Sequence, residues 1–337
     1  MRETDFAKYL SAFLRTYMPA VRNVSTQTIK SYRDSYRLLL LFCREEKHIS
    51  AEKVTLEMLS EELIQQYLDW IEKGRGCSIS TRNQRLAALH AFFRYVQFEE
   101  PVFLSSCQRI LAIPFKKHMK PSIQHLTPDA LKLILDQPDK TTQKGRRDLT
   151  LLSVLYDTGA RVQELADLQV RDVRLHEPSV ISLTGKGRKK RHIPIMHNTS
   201  ILLETYMKEN KLDNRTECLE RPLFTNRQSS KFTRAGIAYI LKKYAKMARK
   251  QSSIIPDSLS PHVFRHTKAM HLYQSGVALV YIRDFLGHVD IETTDIYARA
   301  DTEMKRKELE KTYPEMNSTY MPDWKSDEGL LSWLNSF

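Results

Sequence analysis

At 337 residues, with 41% hydrophobic and 28% charged side chains, the chain is long enough for two cored domains and too apolar for extensive disorder. Its 53 Lys and Arg outnumber its 40 Asp and Glu, giving a formal net charge of +13. That surplus points to a polyanionic partner, nucleic acid before membrane, or else only keeps the chain soluble.

The first hundred residues place apolar side chains three and four apart with little Gly or Pro, and so predict four helices. The first runs from about Asp5 to Tyr17, and the second from about Thr26 to Glu45 with Ser25 as N-cap. A third holds Ile64, Tyr67, Leu68 and Ile71 on one face. The fourth begins after Ser80 and turns Leu86, Leu89, Phe92, Phe93 and Val96 inward. Lys30, Arg33 and Arg37 line the second helix while Arg82 and Arg85 open the fourth; such stripes either straddle a duplex or are the solvated face of a bundle. Between Leu111 and Thr127 the periodicity lapses, and Pro114 and Pro121 bracket Lys116, Lys117, His118 and Lys120 in an extended basic stretch. The expected organisation is a helical domain over 1–112, a linker over 113–126, a second domain over 127–313 and a tail over 314–337.

Thr127 and Pro128 form an N-cap and N1 pair, so the second domain opens with a helix. Another runs from about Arg147 to Asp157 and stops at Thr158 and Gly159, and a further one starts near Arg161. SVISLT and RHIPI read as the strands of a hairpin whose turn, GKGRKK, exposes its lysines. Helices dominate again to about Lys311, which makes the fold class mainly α with a small antiparallel β-sheet, α+β. Ser260 as N-cap and Pro261 at N1 place His262 in the first turn of a helix, where free N–H groups favour an anion. Arg265, three residues on, shares that face. The tail ends in the apolar GLLSWLNSF, which either docks in a neighbouring copy or packs on its own domain.

Four islands in the second domain belong together: TGARVQEL around Arg161, TGKGRKKR around Lys186, HVFRHT with His262 and Arg265, and LGHVDIETTDIYA with His288 and Tyr297. In order, spacing and residue type they resemble the tyrosine recombinase or integrase family, which holds phage integrases, Xer recombinases and many mobile-element recombinases. The resemblance spans Thr127 to Ala300 by motif. The preceding helical segment is similar in size and position to that family's core-binding domain, without a sharp motif. KAMHLYQSG after HVFRHT and ARAD after Tyr297 depart from the commonest family wording; they touch no catalytic position and leave the subfamily open.

The resemblance implies an enzyme that cuts and rejoins DNA through a 3′-phosphotyrosyl bond at Tyr297, without ATP or a cofactor. A phenol near pKa 10 makes a phosphoester that a deoxyribose hydroxyl can still attack, so rejoining needs no energy input. Arg161 and Arg265 suit a phosphate clamp because a guanidinium stays charged and presents a planar fork. By the same resemblance Glu164 steadies the site, His262 exchanges the tyrosine proton and His288 donates to a nonbridging oxygen. Lys186, between two glycines, is the candidate general acid, with Arg188 and Lys189 as neighbours that contact DNA or substitute for it. His266 is expected to be structural. His262 and His266 lack the third ligand of a metal site, so no metal is expected.

Cys43, Cys77, Cys107 and Cys218 contain no Cys-x-x-Cys pair, which signals neither a zinc site nor a disulfide framework. The N-terminus lacks a signal peptide's apolar core, and the longest apolar runs, such as Leu38 to Cys43, are too short to span a bilayer. A cytoplasmic, nucleoid-associated bacterial protein is therefore expected. The resemblance further implies a two-domain C-shaped DNA clamp on double-stranded DNA carrying a specific site, and a homotetramer in which four active sites exchange strands. Integration or transposition of a mobile element leads the readings, ahead of Xer-type dimer resolution. A type IB topoisomerase-like relaxing enzyme, a non-enzymatic DNA-binding protein and a basic interaction protein are the alternatives.

Overall fold

The computed structural model describes residues 3–117, 124–185, 187, 189–212, 217–288, 294, 296, 297, 332 and 334. Lys120, Lys186, Arg188 and most of the tail expected over 314–337 lie outside them. The chain divides into two compact units, Met1–Pro121 and Ser122–Phe337.

The described residues of the first unit form helices joined by turns, with no strand among them. α1 (Asp5–Ala12) continues as a π-helical stretch through Val21, and α2 (Thr26–Lys47) starts where the Ser25 hydroxyl accepts the Thr28 N–H at 3.3 Å. α3 (Glu61–Asp69) is followed by a π-helical turn to Gly74, then by α4 (Ile79–Glu99). The cap of α4 is Ser78, two residues earlier than Ser80, because the Ser78 hydroxyl takes the Thr81 N–H. Each such cap contributes about 1 kcal/mol. A fifth helix, α5 (Leu104–Leu111), escaped the periodicity, since its two turns bury only Cys107 and Ile110. The core is aromatic: the Phe13 ring meets Phe92 at 5.5 Å and Tyr36 at 6.3 Å, both edge-on, and Phe6 closes on Phe92 at 5.7 Å. Such pairs hold helix faces in one register beyond what area burial alone would do.

In the second unit α6 (Pro128–Leu135) is capped by Thr127 as expected, and α7 (Gln143–Thr158) runs one turn further N-terminal than the sequence suggested. α8 (Val162–Ala166) follows, then a three-stranded antiparallel sheet in the order β1 (Val173–Arg174), β2 (Val180–Thr184), β3 (Lys190–Pro194). The β2–β3 register pairs Ile181 with Ile193 and Leu183 with Arg191. β1 was not anticipated, being only two residues long. Helices α9 (His197–Glu209), α10 (Arg234–Arg249), α11 (Pro261–Gln274) and α12 (Leu279–Leu286) complete the described part. Pro261 does occupy the first position of α11, but the Ser260 side chain makes no capping bond.

Candidate active site

α7 ends at Gly159 with φ +55°, a left-handed conformation that costs a Cβ-bearing residue about 1–2 kcal/mol. Space is tight as well: a Cβ there would stand 3.1 Å from the Leu286 side chain and 3.2 Å from that of Phe285, which would have to give by a few tenths of an ångström. The turn delivers Arg161 to the start of α8, where its N–H donates to Glu164 Oε2 at 2.8 Å and its Nη1 to Glu164 Oε1 at 2.9 Å. Arg265, one turn into α11 and only 4% exposed, donates from Nη1 to the Gly159 carbonyl at 2.7 Å and from Nη2 to the Leu286 carbonyl at 2.6 Å.

Three arginines converge on the C-terminal end of α12. Arg191 Nε donates to the Phe285 carbonyl at 3.1 Å, Arg265 to Leu286, and Arg161 Nη2 to Gly287 at 3.2 Å. These are three consecutive carbonyls that a helix end leaves without intrahelical partners, at the negative pole of its dipole. Among the described residues the only carboxylate hydrogen-bonded to any of these guanidinium groups is Glu164, which serves Arg161 and also takes Arg191 Nη1 at 3.0 Å and Nη2 at 2.6 Å. Burial alone would raise the Glu164 carboxyl, but the hydrogen bonds and charge of Arg191, with those of Arg161, outweigh it and hold the carboxyl low. Burial and the Arg161 charge push Arg265 down to about 9, so it keeps its proton at neutral pH. Three cations against one anion leave a local excess that suits an incoming phosphate.

The histidines register the same field. His262 is exposed on the first turn of α11, and partial desolvation, then Arg265 and Arg161, lower it. Burial followed by His262 and Arg265 lowers His266 to about 4, and burial followed by Arg265 and Arg161 lowers His288 to about 4. Both rings are therefore neutral at pH 7. His288 Nδ1 lies 3.0 Å from the Thr294 hydroxyl. Beside it a cleft of about 480 Å³ is lined by Arg161, Gly185, Lys189, Arg283 and His288 among others.

Tyr297 is fully buried, against Ala269, Met270, Ile282 and Leu286, and its hydroxyl is 2.9 Å from His266 Nδ1. Burial raises the phenol to about 12, against the pull of Arg265 and Arg161. The sequence assigned His266 a structural part; it is the phenol's hydrogen-bond partner. Its position four residues after His262, on the same helical face, is the signal that was available. Arg191, the first residue of the expected strand RHIPI, was given no part in the site. Strand alternation puts it instead on the inward face with Ile193 and opposite Leu183, and its side chain is 12% exposed. Among the described residues no three His, Cys, Asp or Glu are grouped to hold a metal.

The residues expected to touch DNA divide. Lys30, Arg33 and Arg37 are exposed on α2, with Arg33 paired to Asp34 at 2.8 Å, and Lys117 and Lys189 are exposed. Arg82 is not on an outer stripe: it is 6% exposed, with Nη1 on the Asn83 side chain at 3.2 Å and the Pro114 carbonyl at 3.4 Å, and Nε 3.8 Å from Glu72. Arg85 likewise turns inward, to the Ser35 hydroxyl at 3.0 Å, and ties α4 to α2. Lys116 is exposed and bonds Glu72 at 2.7 Å, while the Asn83 amide clasps its backbone at both N–H and C=O. The linker expected over 113–126 is thus strapped to the first unit as far as residue 116.

Residues 124–304 match the phage integrase family and residues 10–100 match its N-terminal SAM-like domain. The protein named "Putative integrase/recombinase y4rC" of Sinorhizobium fredii is 34% identical over 336 residues, 99% of each chain. Tyrosine recombinase XerC of Oceanobacillus iheyensis is 29% identical over 315 residues, covering 92% of this chain and 97% of that one. Among solved structures, the XerH recombinase in a post-cleavage complex with its palindromic difH substrate aligns with a TM-score of 0.67 at 21% identity, over 86% of this chain and 80% of that one. The Tn1549 transposon integrase bound to transposon right-end DNA aligns at 0.68 and 19%, over 88% and 97%. At those identities the likeness establishes the fold, and the family and full-length sequence matches carry the rest. The chain belongs to the phage integrase family of tyrosine recombinases, enzymes that break and rejoin DNA strands through a tyrosine.

Proposed function

We propose that Tyr297 is the nucleophile, and that Arg161, Arg265 and His288 hold the nonbridging oxygens of the scissile phosphate while Glu164 fixes the first of them. The observation that carries this reading is the hydroxyl of Tyr297 on His266, one residue from the guanidinium whose neighbours are short of anions. His262 takes the phenol proton, and Lys186 protonates the leaving 5′ oxygen, so that a 3′-phosphotyrosyl bond conserves the energy for rejoining. The phenol is buried, neutral at pH 7 and bonded to His266. The tyrosine leaves that partner to meet a phosphate bound at Arg161.

Replacing Tyr297 by Phe is expected to leave DNA retardation intact and abolish the SDS-resistant protein–DNA adduct on a nicked suicide substrate. A persisting adduct would move the nucleophile to another tyrosine, such as Tyr281, which is 71% exposed.

Both units bind the duplex, as domains over 1–112 and 127–313. The basic linker between them and Lys30, Arg33, Arg37, Lys117 and Lys189 lie on phosphates, in a cytoplasmic, nucleoid-associated protein. Four copies assemble on paired sites and exchange residues 314–337. The biological reaction is integration or transposition of a mobile element, supported by the full-length integrase/recombinase relative and the fold likeness to a transposon integrase. Xer-type dimer resolution is the second reading, favoured by XerC relatives that match nearly end to end. Recombination of plasmids carrying the DNA that flanks the gene, against plasmids carrying a chromosomal resolution site, separates the two.

A further inference from the structure

Arg191 has no part in the reaction as proposed so far, yet it is the most fully engaged of the three clustered arginines. Its fork grips both oxygens of Glu164, at 3.0 and 2.6 Å, and its Nε donates to the Phe285 carbonyl at 3.1 Å. One side chain thus joins β3 to α8 and to the end of α12, the two elements that also receive Arg161. With three of its five N–H donors engaged by the protein and its side chain 12% exposed, Arg191 borders the cleft but keeps fewer free donors for a phosphate than Arg161, whose side chain is 33% exposed.

A second observation lies at the foot of the β2–β3 turn. A Cβ built on Gly185 would stand 3.3 Å from Arg191 Nη1 and 3.3 Å from Glu164 Oε1, so the backbone of Gly185 lies directly against that ion pair. The turn is closed at the same level by the Gly185 N–H donating to the Lys189 carbonyl at 2.9 Å. The root of the turn is therefore seated on the same carboxylate that fixes Arg161.

We infer that Arg191 is a positioning residue that locks the root of the β2–β3 turn to the phosphate clamp and so sets the reach of the general acid carried on that turn. This rests on the assignment of Lys186 as that acid. In the cleavage step the phenol oxygen bonds to phosphorus, the P–O5′ bond breaks, and the 5′ oxygen takes a proton from the ammonium. An acid acts only within hydrogen-bond reach of that oxygen, and small misplacements are costly.

The test uses the full chain and two suicide substrates, one with the ordinary scissile phosphate and one with its 5′ oxygen replaced by sulfur. A thiolate, whose conjugate acid has a pKa of about 8.5, leaves without a proton. Arg191→Lys and Arg191→Met are expected to cut cleavage of the oxygen substrate by about 10²-fold, yet cleave the sulfur substrate within about threefold of the unsubstituted enzyme. Gly185→Ala is expected to show the same pattern with a smaller loss, and Lys186→Ala is the reference. If the Arg191 variants stay slow on sulfur while Lys186→Ala recovers, Arg191 serves the fold or the clamp and the inference is overturned. If neither recovers, it is overturned as well. If the Arg191 variants recover and Lys186→Ala does not, the inference stands and the acid is another residue of the turn.

Discussion

Arg82 in the first unit and Arg265 in the second are buried to nearly the same degree, 6% and 4% exposed, but their surroundings differ. Arg82 has an acid within reach, Glu72 at 3.8 Å from its Nε, and its Nη1 donates to the Asn83 side chain and to the Pro114 carbonyl at the start of the linker. Arg265 has no carboxylate at ion-pair distance among the described residues; carbonyl oxygens hold it, and the charge that acts on it most strongly is that of Arg161. A buried cation with its own acid is a structural tie. One held by dipoles alone, beside further cations, is left with charge to spare for a ligand that is itself an anion.

The contrast breaks first at Arg265. Arg265→Lys loses the fork while keeping the charge, and cleavage on a suicide substrate is expected to fall by about 10²–10³-fold with little change in DNA affinity. A normal rate would remove Arg265 from the clamp. Arg82→Met should do the reverse, lowering stability by about 1–3 kcal/mol in denaturant unfolding while the cleavage rate per folded molecule is unchanged. A rate loss at full stability would return Arg82 to the DNA-contacting set.

Acid sharpens the same comparison. His266 and His288 sit at about 4 in the folded protein against about 6.5 unfolded. Because the unfolded chain binds those protons more readily, their contribution is complete above pH 6.5 and is lost as pH falls through 4. The melting temperature of the second unit should drop over that window, and His266→Gln should flatten the slope; an unchanged slope would mean the ring is not buried neutral. Smaller still, Arg37→Gln on the exposed face of α2 should weaken DNA binding and reduce the salt slope by about one, the signature of one phosphate contact. Asn83→Ala, which releases the Lys116 backbone, should cost about 1 kcal/mol in stability and leave binding at fixed salt unchanged.

Much of the helical framework was legible because its signals are local. Ser25 and Thr127 cap the helices they were expected to cap, and Leu86, Leu89, Phe92, Phe93 and Val96 bury along one face of α4 as their spacing required. The four motif islands were legible too, since each is a short local run and its order along the chain is distinctive. Arg82 misled for the opposite reason. Periodicity marks which face of a helix is apolar, but an arginine near that face is drawn inward only when Glu72 and the Pro114 carbonyl, ten and thirty-two residues away, arrive beside it.

The sequence by itself therefore determined most of the helices, the hairpin and the family to which the four motif islands point, because caps, alternation and residue chemistry act over a few positions. Only the tertiary structure decided that Arg161, Arg191 and Arg265 share three successive carbonyls, that Glu164 serves two of them, and that Tyr297 rests on His266. Those choices depend on burial and on the sum of charges from elements a hundred residues apart, and a hydrogen bond of that kind forms only where packing has already removed the water that would compete for it.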